Sequence, residues 1–152
     1  MGTTRVAGQF SLVYLVFNTI NNLTTQESQI ACFQNAAAHL EPGGCFLVEV
    51  GVPPLQRLPR GESLLAFART ATHWGVDEFD VVTQNFTSHH MTLRNGSWDQ
   101  ISVPFRYAWP AELDLMARLA GLGLKERWGN WQREPFTSLS ESHVSIWQKP
   151  GS

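Results

Sequence analysis

Reading from the amino terminus, the first long apolar stretch covers residues 11–17, Ser-Leu-Val-Tyr-Leu-Val-Phe, with no charge and no breaker, and it stops at Asn18-Thr19-Ile20-Asn21-Asn22. A run of this kind predicts a strand buried on both faces whose carboxyl end opens into a polar site. Only 10 residues precede it, so its composition suits the middle of a sheet while its position makes it an edge. Thr24 and Glu27 have the spacing of a capping box. Ile30, Phe33, Ala37 and Leu40 follow at helical spacing, predicting a helix over about residues 25–40 that Pro42-Gly43-Gly44 terminates. Residues 45–52 form a second apolar run, broken only by Glu49 and closed by Pro53-Pro54. Strand, helix, strand in this order is a βαβ unit with parallel strands and a right-handed crossover.

The pattern then changes. Residues 55–61 read as a loop rich in Pro and Arg, and from about 63 to 109 apolar and polar residues alternate. Asn95-Gly96 between two such runs is a hairpin signal for a type I′ turn, and at least three antiparallel strands are expected, one face buried and one wet. Pro110 at a first helical position opens another helix with Leu113, Met116, Ala117 and Ala120 on one face and Gly121 at its end. Two strands follow, over residues 124–131 and 143–148. With no internal repeat or linker, the chain reads as a single α/β domain with an antiparallel β insertion at about 55–109.

Composition narrows the partners. A net charge of −2 offers no basic face for nucleic acid and no polybasic membrane patch. No basic segment followed by an apolar core opens the chain, and no run approaches membrane-spanning length. A cytoplasmic setting is therefore expected, with Cys32 and Cys45 as buried reduced thiols. The Asn-x-Ser/Thr triplets at Asn22, Asn85 and Asn95 then carry no meaning. Six tryptophans are the one excess; Trp128, Trp131 and Trp147 on the last two strands are expected in the core.

Three motifs in this order carry a family resemblance. Phe10-Ser11-Leu12-Val13-Tyr14 is similar to the Phe-Asp-Leu-Val of the fourth strand in class I S-adenosylmethionine-dependent methyltransferases. His39-Leu40-Glu41-Pro42-Gly43-Gly44 before Phe46-Leu47-Val48-Glu49 resembles the family's Leu-x-Pro-Gly-Gly turn before the fifth strand. Glu112-Leu113 through Ala120-Gly121-Leu122 resembles the helix and turn before the sixth. The resemblance covers nearly the whole chain and matches the second half of that fold. It implies a sheet in the order fourth, fifth, seventh, sixth, with the seventh strand antiparallel, and an insertion that covers the substrate. In the family, the Gly-x-Gly loop and the acidic residue that hold the cofactor's methionine and ribose lie upstream of the fourth strand. The chain thus reads as the substrate-side half, a partial Rossmann-like fold.

What the resemblance implies is methyl transfer from S-adenosylmethionine to an N or O of a small molecule, once a partner or a second copy completes the fold. The open edge and uncovered sheet face point to a homodimer or a separate N-terminal half. The alternatives are a non-enzymatic dimeric or small-ligand-binding module without cofactor, or a longer chain whose start lies upstream. Phe17, Asn18 and Thr19 are the candidate cofactor-side residues, at the carboxyl end of a strand where open α/β sheets bind ligands. Phe17 reads more readily as core packing, and Asn18 and Thr19 equally as caps of the turn. Asn21, His73 and Arg106 are the candidate acceptor-binding residues, with Arg106 also readable as pointing outward. His89 and Tyr107 are the candidate general base or orienting groups. His89 and its neighbour His90 must face opposite sides of a strand. The five histidines show no metal-ligand spacing, so no metal is expected.

Overall fold

A computed structural model describes residues 4–151. Contacts divide them into two compact units, one holding the residues up to Pro53 and those from Ala108 on, the other Pro54–Tyr107.

In the first unit the opening apolar run forms strand β1 over Phe10–Leu15. It ends earlier than the pattern predicts because Phe17 and Asn18 take left-handed backbone, with φ of 55° and 56°. A short 3-10 helix, Thr19–Asn22, leads into α1, Gln26–His39. The capping box sits one residue later than expected. Thr25 and Ser28 cap each other's backbone N–H, since Thr25 is the residue left with extended backbone before the first turn. Helix α1 stops at His39, where the Lys149 ammonium donates to the carbonyls of Ala37 (2.9 Å) and Leu40 (2.7 Å), satisfying groups that the helix end leaves open.

Strand β2, Leu40–Gly51, contains the Pro-Gly-Gly segment instead of following it. Its pairing with β1 jumps from Phe10↔Leu40 to Leu12↔Cys45. A Cβ on Gly44 would lie 2.9 Å from the Phe10 carbonyl oxygen, so a side chain there would force the two strands apart. Helix α2, Pro110–Leu119, has Pro at its first turn, and Gly121 closes it with φ of 75°. Strands β7, Gly123–Trp128, and β8, Ser142–Gln148, complete the sheet. The order is β1-β2-β8-β7, with β1 and β2 parallel and β8 antiparallel to both its neighbours. This is the order expected from the motifs.

Alternation along β2 and β8 sorts the sheet into two unlike faces. Phe46, Val48, Val50 and Trp147 share the core with Phe33 of α1 and with Leu113, Met116 and Ala117 of α2. Phe33 meets Phe46 and Trp147 edge-on at 5.0 and 5.2 Å between ring centres. On the opposite face Val144 is buried, but the β1 side is open. Leu12 and Tyr14 of β1 are 50% and 62% exposed, and Leu47 and Ile146 are half-buried. Two of the tryptophans expected in the core are elsewhere. Trp131, beyond the end of β7, is 52% exposed, and Trp128, paired with Val144, is on the face away from the helices, where it lies under the Arg133 guanidinium at 4.5 Å.

The second unit is one antiparallel sheet in the order β3-β4-β5-β6, formed by Leu64–Arg69, His73–Asp80, Asn85–Arg94 and Ser97–Arg106. Asn95 and Gly96 both have positive φ, 51° and 79°, the signature of the type I′ turn that their sequence predicts. Phe79, Phe86 and Phe105 stack across three neighbouring strands at 5.3 and 5.1 Å. Arg106, read as pointing outward, is instead 3% exposed, with its guanidinium donating to Gln84 Oε1 at 3.3 Å. Alternation puts it on the same side of β6 as the exposed Ser102 and Pro104; its burial is local to the strand end, where it pairs with Asn85 of β5.

A polar network pins α2 of the first unit to the sheet. Arg127 on β7 donates to both oxygens of Asp114 on α2 (2.7 and 3.2 Å) and to Ser145 Oγ (2.7 Å). Trp147 Nε1 donates to Asp114 Oδ1 (2.9 Å). Ser145 Oγ also meets His143 Nδ1 at 2.7 Å, and the other ring nitrogen of His143 is Nε2. That atom is buried without a hydrogen-bond partner. Burial first, and the Arg127 charge second, lower the His143 pKa to about 4.

Two outcomes follow for stability. Asp114→Ala leaves the Arg127 charge and the Trp147 N–H without their acceptor and lowers unfolding free energy by about 3 kcal/mol, read by urea denaturation. Between pH 6.5 and 4 the unfolded chain binds a proton at His143 that the folded chain refuses. Its contribution is thus complete above pH 6.5 and is lost as pH falls toward 4, by up to roughly 3 kcal/mol. Urea midpoints measured across this range should fall less steeply in His143→Asn; an unchanged slope would assign the effect to other groups.

Candidate functional site

At the carboxyl end of β1 the chain makes a tight, cross-braced turn. The Val16 carbonyl accepts from Thr19 N (3.2 Å) and from the Thr19 hydroxyl. Phe17 N donates to Glu49 Oε2 (2.9 Å), and Asn18 Oδ1 accepts from Gly51 N (2.6 Å). Both partners belong to β2, so the turn is tied to the neighbouring parallel strand. Two consecutive non-glycine residues in the left-handed region cost about 1–3 kcal/mol each, and these hydrogen bonds hold them there. The result is that Phe17, readable from sequence as core, stands 84% exposed. It is an aromatic ring presented at the edge where parallel strands of such sheets receive ligands.

The four candidates of this segment are therefore together but unequal. Thr19 uses its hydroxyl in the turn, and Asn18 ties its side-chain oxygen to β2 without making a side-chain cap on the 3-10 helix. Phe17 is free to meet a ligand. Asn21 is 8% exposed, and its Oδ1 is buried with no hydrogen-bond partner. Glu49 was visible in the sequence as the sole charge in the second apolar run, but its bond to the Phe17 amide was not.

The second unit carries the histidines. His89 and His90 do face opposite sides of β5. His89 Nδ1 meets Ser102 Oγ at 2.8 Å and its Nε2 lies 3.4 Å from Glu78 Oε2. His73 Nε2 lies 3.2 Å from His90 Nδ1, and His90 Nε2 lies 3.2 Å from Ser88 Oγ. The structure thus joins His73 to His90, which sequence reasoning did not select, and not to His89. Tyr107 follows β6, buried beside Phe79 (6.0 Å between ring centres), and register places His89 opposite Ser102, away from it. His89 and Tyr107 are thus separate positions along the sheet.

Desolvation raises the pKa of Asp77, against the pull of its hydrogen bond to Ser88 and of His90 and His89. Burial likewise pushes up the Cys32 thiol; both cysteines are unpaired and partly buried. Among the described residues no three His, Cys, Asp or Glu converge as a metal site, and no helix is long and apolar enough to cross a membrane. Open grooves lie along residues 55–63 against Phe79–Val81, and within the loop from Gly129 to Ser142. Neither is lined by the turn at Phe17.

Comparison with known proteins places this architecture. No family model matches the chain. Over 148 residues it is 28% identical to the cypemycin N-terminal methyltransferase of a Streptomyces species, a match covering 92% of this chain and 58% of that protein. The structure of the CcbJ methyltransferase from Streptomyces caelestis superposes with a TM-score of 0.85 at 34% identity, covering 99% of this chain and 61% of that one. S-adenosylmethionine-bound CalS10, an amino pentose methyltransferase from Micromonospora echinaspora, gives a TM-score of 0.64 at 17% identity, covering 97% and 61%. The chain spans about three-fifths of the length of these relatives. The strand order, the antiparallel β8 and the superpositions together identify the fold as that of the S-adenosylmethionine-dependent methyltransferases.

Proposed function

We propose that the chain is the acceptor-side part of an S-adenosylmethionine-dependent methyltransferase that methylates an N or O of a small molecule. The observation that carries this reading is the exposed Phe17 at the carboxyl end of β1, held there by Glu49 and Gly51 of β2. The cofactor supplies a methyl group on a positively charged sulfonium. A bare aromatic ring is attracted to such a cation through its π face, and Phe17 fits that role. Asn18 keeps the ring in place, and Asn21 has a buried oxygen in need of a donor. On the acceptor side, one structural neighbour is named an amino pentose methyltransferase and a sequence relative is named an N-terminal methyltransferase, which supports a nitrogen acceptor.

The same reading has the rest of the cofactor site supplied by protein docked against β1. Its outer edge has no partner strand among the described residues, and Leu12 and Tyr14 on the bare face add apolar area beside it. An edge of this kind pairs with another chain. The completing protein is a second copy or a polypeptide carrying the first strands of the fold.

Calorimetric titration tests the cofactor. Heat on addition of S-adenosylmethionine and S-adenosylhomocysteine is the expected result, and no heat at millimolar ligand sinks the reading. Phe17→Ala should weaken S-adenosylmethionine by roughly 0.5–2 kcal/mol more than S-adenosylhomocysteine, because only the former carries the sulfonium charge; equal losses would assign Phe17 to shape alone. Sedimentation at micromolar concentration should show an assembly larger than one chain, and a clean monomer that still binds cofactor would remove the need for a completing partner.

A further inference from the structure

One face of the second unit's sheet carries a hydrogen-bonded chain of four polar residues. Register and alternation put His73, Asp77, Ser88 and His90 on that face, with Asp77 opposite Ser88 and Gly75 opposite His90. Gly75 matters for the arrangement. A Cβ there would lie 2.2 Å from the Phe67 ring, so only glycine lets that ring settle against His90, at 5.2 Å between ring centres.

The geometry sets the direction of each hydrogen bond. The His73 and His90 rings are nearly parallel, at 13°, with centres 5.5 Å apart. Their nearest nitrogens are 3.2 Å apart. The centre separation is about the nitrogen separation plus the two ring radii, so the rings lie edge to edge and point nitrogen at nitrogen. This is the geometry of N–H···N, with one proton between the rings. Ser88 is hydrogen-bonded to Asp77, whose carboxylate only accepts, so the hydroxyl proton goes to Asp77. Ser88 Oγ then accepts from His90 Nε2–H, and His90 Nδ1 accepts from His73 Nε2–H. Every donor in the chain points toward the carboxylate. The lone pair left over is on His73 Nδ1, which has no hydrogen bond among the described residues and is not a buried orphan.

We propose that this face binds an ammonium-bearing acceptor and that His73 Nδ1 takes its proton, with His90, Ser88 and Asp77 as positioning residues. In that step the acceptor's N–H bond breaks and an Nδ1–H bond forms. An ammonium becomes a neutral amine with a free electron pair, and the imidazole becomes imidazolium. Asp77 favours the transfer, since its Oδ1 is buried without a partner and its charge is desolvated; a cation at the other end of the chain offsets that cost. Asp99 on β6 and Arg94 at the end of β5 share this face by register, and their opposite charges leave its balance to Asp77. His89 is on the other face with Glu78 and takes no part. The proposal deepens the methyltransferase reading by assigning a nitrogen acceptor and its proton acceptor.

Long-range ¹H–¹⁵N correlation spectra of the histidine side chains in the whole chain test it without cofactor, so its failure is distinct from failure of cofactor binding. In mildly alkaline buffer, both His73 and His90 should be in the Nε2–H tautomer. Ser88→Ala should turn both into tautomer mixtures, Ser88→Thr should restore them, and His89→Ala should change neither. Glucosamine at millimolar concentration should shift His73 Nδ1, while glucose does not. An Nδ1–H tautomer at either ring in the unmodified chain overturns the relay whether or not any variant folds. Equal responses to the amine-bearing and amine-free sugars, or none, overturn the ammonium assignment.

Discussion

The first unit depends on packing both helices against one face of its sheet. Phe33 wedged between Phe46 and Trp147 joins α1 to β2 and β8, and Leu113 and Met116 bring in α2. Fully burying side chains of this size contributes roughly 1.5–3 kcal/mol each. Both helices must therefore sit on that side. The Asp114–Arg127–Trp147 network then fixes where α2 lies on it. The cost of the arrangement appears on the other face, where Leu12 and Tyr14 remain in solvent.

The same asymmetry shapes the candidate site. Parallel pairing of β1 with β2 aligns their carboxyl ends, and two cross-strand hydrogen bonds from β2 hold Phe17 and Asn18 in the left-handed region. Local strain is kept at the strand end and braced from next door, as at many ligand-binding turns. The second unit works differently. Its sheet places side chains at a period of two, so a single residue step separates His89, paired with Glu78 and Ser102, from His90, joined to His73, Ser88 and through them Asp77.

Much of this was legible in the residues. The apolar run at 11–17, the helical spacing after Thr25, the Asn95-Gly96 hairpin and Pro110 at the start of α2 rest on local physics: side-chain period, backbone freedom and capping. The strand order followed from three short motifs in sequence. Errors came where local signals competed. Thr24 and Thr25 are both capable N-caps, and only the backbone geometry of the entering chain selects Thr25. Pro42-Gly43-Gly44 has the composition of a turn, yet it lies within β2, because Gly44 permits a close approach to β1.

What the sequence determined by itself was therefore the kind and order of elements, and the segment where a ligand edge would lie. Only the tertiary structure decided what each candidate residue does there. Whether Phe17 is core or exposed depends on Glu49 and Gly51, more than 30 residues away. Whether Arg106 is exposed or buried depends on Gln84, 22 residues away, which accepts from its guanidinium at the end of β6. Which histidine works with His73 depends on a contact across two strands, 17 residues apart. Periodicity says which side of a strand a group is on; it does not say what another strand will place against it.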